Sequence, residues 1–464
     1  MFRNTLRRLR RPIAAALLAS ATALPANAET LADTMVAAYR HSALLEQNRA
    51  VLRAADEDAA AALAQLRPIV QWLASYTYQN IEGFDANSAS LGLQASMTLY
   101  DFGRNAIAID IAKENVLATR AALVGVEQDV LLGAIEAYLN VRSATEQVEL
   151  QQNSVRVLGE EQQAATDRFD VGEITQTDVS QADAALAASR ADLASAQGDL
   201  EVARESYRAA TGKFPGKLAA PPPTPKLPAS LVSAREIGQR THPLIQQAKR
   251  EAAASELQVA AAAAERNPSL TGGAALQAQS NKTVNTGTSV RTDSASVSLD
   301  MSQTIYSGGR LPAAHRRAMA SRDATRASLL NTARQVDQAV GTAWAGIDVA
   351  RAQISAIDQQ IVSARQAFDG VREEATLGAR TTLDVLEAEQ ILLQAMADKI
   401  TAVANLQLAH YQLLSAMGLL TVENLKLGIP TYDPSAYYKA VKDAPFTSRQ
   451  GESLDRVLRS IGKN

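Results

Sequence analysis

From Ala333 the chain places an apolar residue at alternating spacings of three and four: Ala333, Val336, Val340, Ala343, Ile347, Ala350, Ile354, Ile357, Ile361, Ala364, Phe368 and Val371. A heptad seam sustained this far predicts a long helix supercoiled against a partner. The seam recurs 206 residues upstream as Val130, Ala134, Ala137, Val141, Ala144, Val148, Val155, Leu158 and Ala165, with Gln151 and Gln162 as polar breaks. Both seams run into a glycine. Gly172-Glu173-Ile174-Thr175-Gln176-Thr177-Asp178-Val179 and Gly378-Ala379-Arg380-Thr381-Thr382-Leu383-Asp384-Val385 stop the helical pattern and restart it behind Thr and Asp. That is a helix end followed by a helix start. Gly172 and Gly378 are thus predicted to be the tips of two long helical hairpins.

The rest of the chain also reads as two repeats. Leu31 to about Leu66 is helical in pattern and matches Leu231 to about Arg266, and each ends at a proline, Pro68 or Pro268. After each proline the apolar period falls to two. Val70, Trp72, Ala74, Tyr76 and Tyr78 alternate with Gln71, Leu73, Ser75 and Thr77, and then Leu91, Leu93, Ala95, Met97 and Leu99 alternate with Gly92, Gln94, Ser96 and Thr98. The second repeat shows Leu270, Gly272, Ala274, Leu276 and Ala278, then Val297, Leu299, Met301 and Ile305. Four strands of roughly ten residues with one apolar face have the length and dyad pattern of transmembrane β-strands. Polar stretches around 80–90 and 280–294 are expected to be turns. Arg104 to Phe169 predicts a helix of roughly 100 Å, which the shorter stretches Thr177–Thr211 and Leu231–Arg266 would match if stacked end to end.

The organisation that follows is a signal segment (1–28), a first repeat (29–212; β-hairpin 68–100, tip 172–178) and a Pro-rich equatorial linker (213–230). A second repeat (231–418; β-hairpin 268–306, tip 378–384) and a C-terminal equatorial segment with a mobile tail (419–464) complete it. The signal reading rests on Arg3, Arg7, Arg8, Arg10 and Arg11, the apolar run Ile13–Leu24 and an Ala26-Asn27-Ala28 cleavage site. Cleavage there would take the formal net charge from −3 to about −8, which argues against a nucleic-acid partner. The chain has no cysteine, so no disulfide framework and no lipid on an N-terminal cysteine is expected. Beyond the signal no apolar run reaches about 20 residues, the length a membrane-spanning helix needs. A membrane would have to be crossed by strands.

Four strands cannot close a barrel, and open edges are not tolerated in lipid. Three copies would supply twelve strands, enough for a lumen, and Gly92, Ser96, Ser296 and Ser298 suit a water-facing wall. The expected fold is therefore mainly α with a membrane β-barrel part: a trimeric 12-stranded barrel continued by a long antiparallel coiled-coil tunnel.

The two-fold repeat, the corners Leu99-Tyr100-Asp101-Phe102-Gly103-Arg104 and Tyr306-Ser307-Gly308-Gly309-Arg310, and the paired tips together resemble the TolC family of outer-membrane efflux and secretion channels. The resemblance covers roughly Leu31 to Gly418. It implies a homotrimer in the outer membrane of a Gram-negative bacterium, with its tunnel in the periplasm and outer-membrane lipid around its barrel. It also implies work with an inner-membrane transporter of ABC or RND type and a periplasmic adaptor (membrane fusion protein). It implies that Arg380 is a gate arginine reaching toward Thr177 and Asp178, and that Asp384 and Glu387 form an acidic ring at the tunnel entrance. Ala375 stands where the family pattern has a gate tyrosine, so a thinner closing network is expected.

No chemistry competes with this. His41, His242, His315 and His410 are scattered, and His410 lies on a helix seam as a packed residue would. Gly308-Gly309-Arg310 lacks the Lys and Ser/Thr of a phosphate loop and reads as a corner. No nucleophile–base pairing, cofactor motif or metal spacing is present, so a non-enzymatic protein without a cofactor is expected. The tail Tyr432–Tyr438 is similar to that of members acting in type I protein secretion. Two other classes fit the pattern less well. A periplasmic coiled-coil adaptor predicts a single hairpin and no apolar strand faces; a soluble scaffold leaves the aromatic-rich strands unexplained.

Overall fold

A computed structural model describes residues 28–81, 84–283, 287–441 and 456. The expected signal segment, Ala28 apart, and the extreme C-terminal tail lie outside the described residues. The chain divides into two compact units. One holds the residues up to Ala38, with Ala134–Pro223 and Ala367–Ile400; the other holds Tyr39–Gly133, Thr224–Gln366 and the chain from Thr401. The elements run α1 (Leu31–His41), α2 (Ala43–Ala64), β1 (Ile69–Ile81), β2 (Phe84–Tyr100), α3 (Arg104–Asp170), α4 (Gln176–Thr211), α5 (Leu231–Thr241), α6 (Pro243–Ala264), β3 (Ser269–Thr283), β4 (Ser289–Ser302), α7 (Arg310–Thr376), α8 (Thr382–Ala416) and α9 (Ala436–Val441).

The strands form one antiparallel sheet in the order β1-β2-β3-β4. Its register sorts side chains into rows. Val70, Ala95, Ala274 and Val297 lie side by side, as do Trp72, Leu93, Leu276 and Ala295. The alternate rows on the other face read Gln71, Gln94, Ala275, Ser296 and Leu73, Gly92, Gln277, Ser294. Over these rows one face is apolar across all four strands and the other mostly polar, because side chains alternate with period two; nearer the hairpin turns the first face also carries Asp293, Arg291, Asn87 and Lys282. Ser75 and Ser90 hydrogen-bond on the polar face at 2.7 Å. A register shift between Thr98 and Tyr100 brings Tyr100 opposite Leu270, on the apolar face. Such a bulge re-aims one side chain. Among the described residues no second layer covers the sheet: Trp72 is 73% and Val297 88% exposed.

The strands are longer and the turns shorter than the polar composition suggested. β1 and β2 pair as far as Ile81 and Phe84, and β3 and β4 as far as Lys282 and Ser289, so most of 80–90 and 280–294 is strand. Serine and threonine cover a water-facing strand as readily as a turn. At the other end β4 stops at Ser302, leaving Ile305 outside the sheet and 96% exposed.

The first helix of each repeat is also broken. Ser42 ends α1 and caps α2 by accepting from the Leu45 amide at 3.2 Å. In the second repeat, His242 accepts from the Leu244 amide and Pro243 opens α6. A residue before proline is disfavoured in the helical region, and proline suits the first helical position. The second break was therefore visible in the sequence as His-Pro.

The seams are where the spacing put them. In α7, Val336, Val340, Ile347, Ala350, Ala364 and Phe368 are buried, and the remaining seam positions are half-buried. A Cβ added at Gly238 of α5 would lie 3.1 Å from the Val340 Cγ2, so that glycine lets α5 sit against this stripe. In α3 the seam is joined by Leu131, Ile135, Tyr138 and Leu139, each buried, so this stretch is covered on a second side. His410 is buried at 2% exposure, with its Nδ1 2.7 Å from the Leu406 carbonyl oxygen.

The chain after α8 packs on α2 and α3 within its unit. The Glu127 carboxylate accepts from the Val422 amide at 2.7 Å. Arg49 lies between the rings of Tyr39 and Tyr432, and Arg120 faces the Tyr438 ring. The linker's first part pairs with the chain start: the Glu29 amide donates to the Lys217 carbonyl, and the Ala219 amide to the Glu29 carbonyl, both at 2.9 Å.

Candidate functional site

The two hairpin tips lie in one unit and share one construction. Gly172 and Gly378 have φ of +82° and +78°, a left-handed conformation that glycine adopts without strain. At the first tip the Gly172 amide donates to the Phe169 carbonyl and the Glu173 amide to the Arg168 carbonyl, both at 2.9 Å. At the second, the Gly378 amide donates to Ala375 at 3.1 Å and the Ala379 amide to Glu374 at 2.9 Å. These paired bonds satisfy the last carbonyls of α3 and α7 in a Schellman arrangement.

Three residues on, each chain restarts with a threonine-aspartate box. The Thr175 amide and hydroxyl donate to Asp178 Oδ2 at 3.0 and 2.7 Å. The Thr381 amide and hydroxyl donate to Asp384 Oδ2, each at 2.9 Å, and the Thr381 hydroxyl accepts from the Asp384 amide at 3.2 Å. Hydrogen bonds from Thr175 hold the Asp178 carboxyl below its ordinary range, and those from Thr381 do the same for Asp384. Both carboxylates therefore stay charged at neutral pH, at helix starts that favour negative charge. Thr175 and Thr381 were missed as site residues. The [ST]-x-x-[DE] spacing that marks them is present in the sequence.

Arg380 finds a partner within its own tip. Within the chain its Nε donates to Glu374 Oε2 at 2.9 Å, across its own tip, and not to Thr177 or Asp178. That bond and the charge of Glu374, with a smaller contribution from Asp384, hold the guanidinium firmly protonated. The geometry is local: Arg380 and Glu374 flank the same left-handed glycine, so their side chains meet on one side of the turn. Thr177 is exposed and Asp178 is taken up by its own cap. Ala375 is buried against Phe368 and Val385, with Val157, Val371, Ala388 and Leu392 packed around them. The position thus contributes apolar packing and no hydroxyl to the tip.

Glu387 is exposed and lines a cleft of about 410 Å³ with Ser154, Gln181, Ser189, Asp192 and Glu389. Glu389 itself is buried at 7% exposure, and its Oε2 has no hydrogen-bond partner among the described residues. Burial first, then the nearby Glu161 charge, pushes the Glu389 carboxyl up to about 7, against a smaller opposing pull from Arg372. Arg372 pairs with Glu161 at 2.9 Å. Nothing in the spacing of α8 distinguished Glu389 from a solvated acid, because its burial depends on α3 and α7 beside it.

Comparison with known proteins agrees with this architecture. The family model described as Outer membrane efflux protein matches residues 35–213 and 239–419, one segment per repeat. The chain is 32% identical over 442 residues to Outer membrane efflux protein BepC of Brucella suis, covering 94% of this chain and 96% of that one. It is 26% identical over 408 residues to Outer membrane protein TolC of Escherichia coli, covering 80% of each. Among solved structures, the outer membrane protein VceC of Vibrio cholerae superposes with a TM-score of 0.71 at 22% identity, covering 84% of this chain and 96% of that one.

Proposed function

The chain belongs to the outer membrane efflux protein family, and from that premise we propose that three copies form one export conduit closed at the paired tips. The chain is an outer-membrane channel protein that exports substrates, working with an inner-membrane transporter and a periplasmic adaptor. The observation that carries the trimer is the sheet. It has one apolar face, one polar face and two unpaired edges, which lipid tolerates only when the sheet closes on further copies of itself. Twelve strands give a water-filled lumen lined by the polar rows. A periplasmic adaptor or a soluble scaffold gives no account of a lipid-ready face.

Gly172 and Gly378 mark the tips at which the conduit closes, and Arg380 tethers the second tip by its bond to Glu374. Thr177 and Asp178 face a neighbouring tip in the closed trimer. Threefold symmetry gathers Asp384 and Glu387 into a ring of six carboxylates that favours cations. The transporter served is of ABC or RND type, and no nucleic acid is involved. Deletion of the gene, followed by assay of secreted proteins and of drug sensitivity, separates type I protein secretion from drug efflux; loss of neither removes the export reading. Bilayer recordings of Asp384→Ala with Glu387→Ala test the ring: weaker cation selectivity and relief of block by multivalent cations are expected, and unchanged selectivity would return both residues to an ordinary solvated face.

A further inference from the structure

One edge of the sheet carries a concentration of unpaired positive charge. The register sets the start of β1, the end of β2, the start of β3 and the end of β4 along the same edge, since Ile69 pairs with Ser96, Tyr100 with Leu270 and Ser269 with Ser302. This is the edge where the chain turns into its helices. Arg67 lies two residues before β1, Arg266 three before β3, and Arg310 opens α7, with Arg316 and Arg317 roughly 10 Å further along that helix. All five are exposed, and no carboxylate among the described residues lies within 4.0 Å of any of them. Further down α7 the pattern differs: Arg322 pairs with Asp323 at 2.8 Å, and Arg326 pairs with Glu256.

The acidic residues near this edge do not balance it. Asp101 is occupied by the amides of Gly103 and Asn105, and Asp300 falls on the polar face of the sheet. Among the described residues, only the exposed Glu265 is left beside these five arginines. The opposite edge, by contrast, is mixed and self-paired: Arg291 meets Asp293 at 3.2 Å, and Asp85 accepts from Tyr78 and Asn80.

The position of the aromatics ties this charge to a bilayer surface. Tyr100 is turned to the apolar face by the bulge, its ring meets Phe102 edge-on at 4.6 Å, and Trp72 lies further up the same face. Tyrosine and tryptophan settle at the headgroup level of a membrane. Arginines beyond them, on the helix side, stand where lipid phosphates lie, and a guanidinium matches phosphate in a bidentate fork. We propose that this arginine edge is a binding surface for anionic phospholipid headgroups of the periplasm-facing leaflet, and that it sets the depth of the barrel in the membrane. The proposal rests on the barrel reading of the sheet.

The test uses the full-length assembled protein, reconstituted in bilayers of phosphatidylcholine with and without phosphatidylglycerol and then re-extracted for analysis of the lipid it retains. The parent should retain phosphatidylglycerol above its bulk fraction, and rising salt should abolish the enrichment. Arg67→Gln, Arg266→Gln, Arg310→Gln and Arg317→Gln together should bring retention to the bulk ratio, while the four Lys replacements should keep most of it. Equal enrichment in parent and Gln variant, or none in the parent, overturns the proposal. Loss of enrichment on addition of inorganic phosphate at constant ionic strength supports a phosphate-reading surface; insensitivity to both phosphate and salt overturns it. Should the Gln variant fail to assemble, the parent's salt and phosphate dependence decides alone. Failure of the parent to insert in any bilayer counts against the barrel itself, whereas insertion without lipid preference counts only against the arginine edge.

Discussion

Arg380 and Glu374 form an exposed pair across one turn, so their bond contributes little to overall stability. Its effect is local to the turn around Gly378, which it bridges from Glu374 to Arg380. Arg380→Ser should therefore raise single-channel conductance and antibiotic uptake without lowering assembly stability. Glu374→Gln should act the same way, and the double variant should add little, because both changes break one bond. Additive effects on conductance would show that the two residues act separately. The place of the tip around Arg380 was legible in the sequence, from Gly378 and the helix restart behind it. Finding its partner needed the backbone, because a left-handed glycine decides which flanking side chains meet. Glu389 was illegible for a similar reason. Its folded pKa is raised from 4.5 to about 7, so the folded state holds a proton that the unfolded state has lost between those values. Stability should accordingly fall as pH rises from about 4.5 to about 7 and level off above. Glu389→Gln should flatten that part of the profile in thermal melts; an unchanged slope would show that the carboxyl is solvated.

The long helices were the most legible elements, because a repeat of threes and fours is kept only where one stripe stays buried. Ile347 is 2% exposed on that stripe, and Ile347→Ala should cost about 2–5 kcal/mol in unfolding measurements. A cost under about 1 kcal/mol would mean that this part of the seam is loosely packed. The tips behave differently. A Cβ on Gly378 would meet nothing within 4 Å, so Gly378→Ala pays only for the left-handed backbone, about 1–2 kcal/mol. Hydrogen exchange should accelerate at the tip amides and stay unchanged along the seam. The strands were legible in face but not in length. Alternation gives the apolar side, whereas serine-rich ends read equally as turn or as water-facing strand. The break at Ser42 was hidden for a related reason, since one serine among helix formers carries no signal until its cap is seen.

At the scale of the whole molecule, two observations bear on assembly: the apolar rows that cross all four strands towards the helix end of the sheet, and the absence, among the described residues, of a second layer to cover them. Neither needs a partner to be seen, yet both require one. The repeat, the tips and the absence of a long apolar helix were all readable from the sequence, and together they led to a membrane barrel shared between copies. The edge arginines were not, because they are separated in sequence and become neighbours only through the strand register.

The central claim is that β1 of one copy pairs with β4 of the next and that three copies close the ring. The chain has no cysteine, so paired cysteines can be introduced one position at a time along β1 and β4 without background. Oxidation in native membranes, followed by denaturing electrophoresis, reads the closure directly. A ladder of covalent species ending at three copies, from at least one β1–β4 pair, is the predicted result. A ladder that ends at two, continues past three, or never forms at any position would contradict it.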